Sequence, residues 1–156
     1  MRNGFGISMN KSEETISISN NNGENLLVLL EEEQRKSGYL SQEFITALAQ
    51  SLDTPVSEIY GVISFYSFLT NKLQGRNIIR ICKNLPCFLK NSELIIKCIT
   101  QELGIKPGQT TPDGRFTLVL TNCIGACDKA PAMMINNDIY GDLTPQKITK
   151  ILESYK

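Results

Sequence analysis

The chain has no histidine among its 156 residues. That removes the usual general base of serine and cysteine hydrolases and the mixed Cys/His zinc sites. It has no surplus of either charge, with 16 Lys+Arg against 16 Asp+Glu, so nothing predicts a nucleic-acid or acidic-membrane partner. No apolar run approaches the ~20 residues of a membrane span, and the first ten residues lack the layout of a secretory signal. These absences place the expected protein in the cytoplasm without membrane insertion. Nor is there a nicotinamide fingerprint: Gly4-x-Gly6 stands alone near the N-terminus, with no G-x-G-x-x-G joining a strand to a helix.

Against that background the cysteines stand out. Four of the five form two loops, Cys82-Lys-Asn-Leu-Pro-Cys87 and Cys123-Ile-Gly-Ala-Cys127, a C-x4-C pair followed by a C-x3-C pair. In a reducing compartment, paired cysteines more often mean metal or redox chemistry than a structural disulfide. The fifth, Cys98, falls on the apolar face of a helical stretch and is expected to be a buried structural thiol.

The rest of the chain is read around these loops. Residues 1–22 are polar and are expected to form a flexible tail. From 23 to 74 the pattern is that of a helical bundle. One helix runs from Glu24 to a stop at Gly38, and a second from Gln42 to about Leu52 behind Ser41 as N-cap. A third opens with Thr54 as N-cap and Pro55 at the first helical position. Tyr60, Phe65, Tyr66 and Phe68 crowd one stretch. They are expected to pack the helices together, with docking on a partner as the alternative.

From 75 to 156 the pattern becomes strand, helix, three strands and helix, an α/β (α+β) arrangement. Asn77 to Cys82 reads as a buried strand and delivers Cys82 at its end. A helix follows from Asn91 or Ser92 to Leu103, with Leu94, Ile95, Cys98, Ile99 and Leu103 expected inward. Thr111-Pro-Asp-Gly114 predicts a turn, and a strand from Arg115 to Asn122 runs into Cys123. A hairpin around Asn136-Asn137 and a helix after Thr144-Pro145, with Ile148 and Ile151 inward, complete the chain.

Both cysteine pairs therefore lie where a strand ends, and neighbouring strand ends would bring four thiolates together. Spacing alone leaves three occupants open. Structural zinc takes four thiolates but prefers short knuckles. A redox dithiol favours C-x-x-C, which is absent. A [2Fe-2S] cluster tolerates wider, unequal spacing because each iron is held by one pair.

Several motifs, in order, carry a resemblance: Gly38-Tyr-Leu40, Pro55-Val-Ser-Glu-Ile-Tyr-Gly61, Phe65-Tyr-Ser67, the two cysteine pairs, Ala130-Pro131, and Tyr140-Gly-Asp-Leu-Thr-Pro145. From about Leu26 to Tyr155 the chain resembles the thioredoxin-like [2Fe-2S] ferredoxin family, in the 24-kDa NADH-dehydrogenase-type subunit. The resemblance implies a helical bundle followed by a thioredoxin-like [2Fe-2S] domain, with Cys82, Cys87, Cys123 and Cys127 as cluster ligands. It implies an electron-transfer subunit with no catalytic site of its own, while FMN and NAD(H) bind a partner subunit. The expected host is an NADH-linked or electron-bifurcating hydrogenase, with respiratory complex I or a formate dehydrogenase as alternatives. A zinc-stapled interaction module is the alternative of another class. The loop Lys83-Asn-Leu-Pro86 departs from the family's usual Cys-x-Gly-Thr-x-Cys.

Overall fold

The computed structural model describes residues 26–155, so the expected tail at 1–22 lies outside the described residues. The chain divides into two compact units at the Leu73/Gln74 boundary.

The first unit holds three helices, α1 (Leu26–Ser37), α2 (Gln42–Ser51) and α3 (Val56–Phe65). Gly38 ends α1 at φ +82°, a left-handed conformation that glycine adopts without a Cβ penalty, and its N–H closes on the Gln34 carbonyl at 2.8 Å. Ser41 caps α2, its hydroxyl accepting from the Phe44 N–H at 3.1 Å. At α3 the expectation is off by one residue. Pro55 occupies the cap and Val56 opens the helix, while the Thr54 hydroxyl donates to the Leu52 carbonyl at 3.1 Å.

Leu29, Leu30, Leu40, Ile45, Leu48 and Ile59 form this unit's dry centre. The aromatic stretch does not join it as expected. Tyr60 packs against the core, but Phe65 is 77 % exposed, and Tyr66 and Phe68 are also exposed. Phe65 lies at the last residue of α3 and the other two follow it, so no later turn covers them.

The second unit is a four-stranded mixed sheet in the order β2-β1-β3-β4. Its strands are β1 (Asn77–Cys82), β2 (Phe116–Thr121), β3 (Met133–Ile135) and β4 (Asp138–Tyr140). β1 and β2 run parallel, Asn77 opposite Phe116 and Cys82 opposite Thr121, while β3 and β4 add antiparallel neighbours. A parallel pair needs a long crossover, supplied here by α5 (Ser92–Leu103). The preceding short α4 (Leu85–Leu89) and the final α6 (Pro145–Ser154) complete the unit.

Ile79, Ile81, Phe116, Leu118, Met133 and Ile135 supply the core from the sheet; Ile95, Ile99, Ile148 and Leu152 supply it from the helices. Two expected core positions are corrected: Leu94 is 50 % exposed and Cys98 is only partly buried, while on α6 Ile148 is buried, Ile151 packs against the core, and Leu152 joins them. The buried stripe of α5 runs through Ser92, Ile95 and Ile99, at i, i+3 and i+7, and Leu94 sits about 100° away from Ile95.

Two local networks bind the periphery. In the turn before β2, the Asp113 carboxylate accepts from the Arg115 N–H at 3.0 Å and from the Thr111 hydroxyl. The Thr111 bond, then the Arg115 N–H, lower the carboxyl below its ordinary value. A carboxyl depressed in the folded state adds stability above its unfolded pKa of about 3.9, and that stability is lost as pH falls through the folded value. Asp113→Ala is therefore expected to flatten the acid limb of a stability-against-pH profile below about pH 4. An unchanged limb would remove this carboxylate from the account.

At the C-terminus, the Tyr155 hydroxyl donates to Asp138 at 2.7 Å and meets the Tyr140 hydroxyl at 2.9 Å. Burial, then the Tyr140 bond, hold the Tyr155 phenol well above its ordinary range. Tyr155→Phe keeps the ring and loses both bonds. It is expected to cost about 1 kcal/mol in a urea titration.

Candidate metal centre

The parallel pairing of β1 and β2 builds the site. Because Cys82 ends β1 opposite Thr121, the last residue of β2, the two strands deliver both cysteine loops to one edge of the sheet. The ladder continues one step beyond the strands, the Lys83 N–H donating to the Thr121 carbonyl at 3.0 Å. On the other side of β1, the Cys82 N–H reaches the Ala132 carbonyl at 3.3 Å.

The first loop holds a short helix. After Asn84 it coils into α4, with Pro86 in the first turn where its missing N–H costs nothing, and the Phe88 N–H closes on the Asn84 carbonyl at 2.9 Å. This turn points Cys87 inward while leaving Leu85, Phe88 and Leu89 exposed. Cys82 and Cys87 are each 1 % exposed and lie in a small apolar nest with Ala126 and Ala132.

The second loop is open. Cys123 and Cys127 are both exposed, their sulfurs 3.3 Å apart, and the Gly125 N–H points at the Cys123 sulfur at 3.4 Å. Gly125 has φ +83°, a conformation that turns this N–H back on the sulfur and that residues with a Cβ rarely adopt. The loop then tightens into a 3₁₀ turn at Cys127–Lys129.

The sulfurs are linked in sequence. Cys82 lies beside both Cys87 and Cys123, and Cys123 meets Cys127 at 3.3 Å. Burial pushes the Cys87 thiol up to about 11, against the pull of an N–H from Ala132. The Gly125 N–H, then the Cys127 thiol, lower Cys123; that same bond to Cys123, then burial, raises Cys127. The exposed pair is thus asymmetric, Cys123 being the more acidic thiol and Cys127 the less acidic. All five cysteines are free thiols.

This donor set fits a [2Fe-2S] cluster. Four thiols converge as two pairs, with two backbone N–H groups, from Gly125 and Ala132, aimed at sulfur. Among the described residues, no three Cys, Asp or Glu side chains gather tightly enough to hold a single metal ion.

The segment after β4 straps the second loop in place. The Asp142 N–H donates to the Lys129 carbonyl at 2.7 Å, and the Leu143 N–H to the Pro131 carbonyl at 3.2 Å. Gly141 permits this approach: a Cβ there would lie 2.8 Å from the Lys129 carbonyl oxygen and would strike the Lys129 side chain. Gly141→Ala is expected to cost about 1–3 kcal/mol, as overpacking does, and to speed cluster loss in air. Visible absorbance against time measures the second effect; wild-type kinetics would exclude the strap.

The four cysteines singled out from sequence are therefore brought together, and Cys98, on α5, stays outside them. Sequence reasoning missed the Ala132 N–H and the coiling of α4.

A family model described as thioredoxin-like [2Fe-2S] ferredoxin matches residues 12–156. An NADH-quinone oxidoreductase subunit of Pseudomonas aeruginosa is 43 % identical over 122 residues, 78 % of this chain and 74 % of that protein. The corresponding NADH-quinone oxidoreductase subunit of Buchnera aphidicola is 46 % identical over 123 residues, 79 % of this chain and 76 % of that one. Among solved structures, a chain of the NAD+-reducing [NiFe]-hydrogenase in the air-oxidised state matches 83 % of this chain with a TM-score of 0.69 at 25 % identity. The match spans 22 % of the hydrogenase chain.

Proposed function

The chain belongs to the thioredoxin-like [2Fe-2S] ferredoxin family, and from that premise we propose that it is an electron-transfer subunit whose cluster is held by Cys82, Cys87, Cys123 and Cys127. One observation carries the assignment of ligands: two cysteine pairs, delivered by adjacent parallel strands, meet sulfur to sulfur. The bound cluster supplies one-electron chemistry. The chain's own residues supply the rest. Cys82 and Cys87 bury one side, the Gly125 and Ala132 N–H groups neutralise part of the sulfur charge, and Ala126 and Ala132 keep water from the buried pair.

The partner in this reading is a flavin- and NADH-binding subunit of an oxidoreductase complex, with FMN and NAD(H) held there. The helices before Gln74 help to hold that subunit, and the exposed Phe65, Tyr66 and Phe68 suit such contact because aromatic rings are enriched at interfaces. The catalysed reaction then belongs to the complex. Two hosts compete. Relatives at 43 % and 46 % identity are subunits of NADH-quinone oxidoreductase, which supports that host; the NAD+-reducing hydrogenase supports the other at 25 %. Among the described residues no helix is long and apolar enough to cross a membrane, and a cytoplasmic location belongs to this reading.

The test is anaerobic purification followed by iron, sulfide and zinc analysis with visible and EPR spectra. About two irons and two sulfides per chain, with a rhombic signal on reduction, are expected. One zinc, no sulfide and a colourless protein would replace the reading with a zinc-stapled module.

A further inference from the structure

Strand β1 carries a buried cation as well as a ligand. Its side chains alternate: Ile79 and Ile81 enter the core, so Ile78, Arg80 and Cys82 lie on the opposite face. The register sets Val119 of β2 and Met134 of β3 beside Arg80 on that face, and Cys82 packs there with Ala132. Arg80 is 8 % exposed. Among the described strand residues it is the one charge on this face, because Asp138 pairs with the core residue Ile135 and so belongs to the other. We propose that Arg80 sets the reduction potential of the cluster, its guanidinium charge holding that potential above the value the thiolates alone would give.

The proposal rests on the ligand set given above, and its physical ground is the field of a fixed charge. Two residues along a strand separate Arg80 from Cys82 by about 7 Å, within the reach of a charge that little water screens. A two-iron cluster with four thiolates is anionic, and one electron from a reductant makes it more negative by one charge without breaking a bond. A nearby cation stabilises the reduced form more than the oxidised form, so the potential rises. Arginine suits the place because its guanidinium keeps its proton throughout the working pH range, and the field stays constant. Packing alone does not account for it. A charge beside Val119 and Met134 costs desolvation that an apolar side chain of the same length would avoid. Lys83, Asp128 and Lys129 also stand close to the ligands in sequence, but all three are exposed, and water and salt screen them.

Redox titration of the intact, cluster-loaded chain, followed by visible absorbance and EPR, tests this. Arg80→Gln is expected to lower the ratio of reduced to oxidised cluster at a fixed potential by roughly three- to tenfold, about 30–60 mV for one electron. Arg80→Lys should keep most of the wild-type potential. Lys83→Gln removes an equal but exposed charge and should shift the potential less, by an amount that salt abolishes. An unchanged potential in Arg80→Gln, with iron and sulfide retained, overturns the proposal. So does an equal fall in Arg80→Lys, which marks a packing role, or a fall in Lys83→Gln as large as that in Arg80→Gln. If Arg80→Gln holds no cluster, Met134→Lys decides, since it adds a second cation opposite Arg80 in the register. A raised potential there supports the field, and an unchanged or lowered one refutes it. A wild-type chain that binds no two-iron cluster defeats the proposed function itself, and this proposal falls with it.

Discussion

Replacing Cys82 with alanine is expected to abolish cluster assembly, dropping iron from about two per chain towards zero, while Cys98→Ala keeps the full complement. Cys82 is the sulfur at the centre of the chain of contacts, beside Cys87 on one side and Cys123 on the other. Removing it leaves one pair intact and the other with a single thiolate, which holds one iron and not its bridged neighbour. The fold itself should persist, because the β1 ladder is made by the backbone and Cys→Ala deletes one atom from a small satellite nest. Iron and sulfide analysis after anaerobic reconstitution, beside circular dichroism, separates loss of the site from loss of the fold. Full iron in Cys82→Ala, or loss in Cys98→Ala, would reverse the ligand assignment.

The contrast between these two cysteines also shows what was legible in the sequence. Cys82, Cys87, Cys123 and Cys127 declared themselves by spacing and by standing at the ends of apolar runs. Those runs, Ile78 to Ile81 and Phe116 to Leu120, are buried or half-buried on both faces, so they read as continuous strands and their bounds needed little correction. Parallel pairing then followed from the helix between them. What stayed hidden was rotation and coverage. A difference of one position on α5 decides whether Leu94 or Ile95 faces the sheet, and apolar identity alone does not decide it. Cys98 went from an expected buried thiol to a partly exposed one by the same rotation. Helix α4 was obscured because five residues carry no helical period, and Pro86 looks like a breaker unless the first turn is recognised around it. The aromatic stretch at Phe65 to Phe68 exceeded what its own unit could bury, which no count of rings discloses.

The largest effect on the fold is expected from Phe116→Ala. Phe116 opens β2, is 2 % exposed, pairs in register with Asn77 and packs in the same cluster as Ile79, Ile99 and Leu118. Its deletion leaves a cavity among Ile79, Ile99 and Leu118, a loss of about 3–5 kcal/mol. Against a total of ~5–15 kcal/mol for a domain, that is enough to unfold a large fraction of the chain on modest heating. Leu89→Ala, 69 % exposed on α4, should cost less than about 0.5 kcal/mol and serves as the matched control. The two substitutions also separate fold from site. Leu89 lies two residues from Cys87, yet its loss leaves the strands untouched; Phe116 is at the far end of β2 from Cys123, yet it holds that strand in place. Faster cluster loss is therefore expected in Phe116→Ala and not in Leu89→Ala, followed by visible absorbance alongside urea midpoints. If the nearer substitution proved the more damaging, α4 rather than the β1/β2 pairing would be the element that holds the cluster.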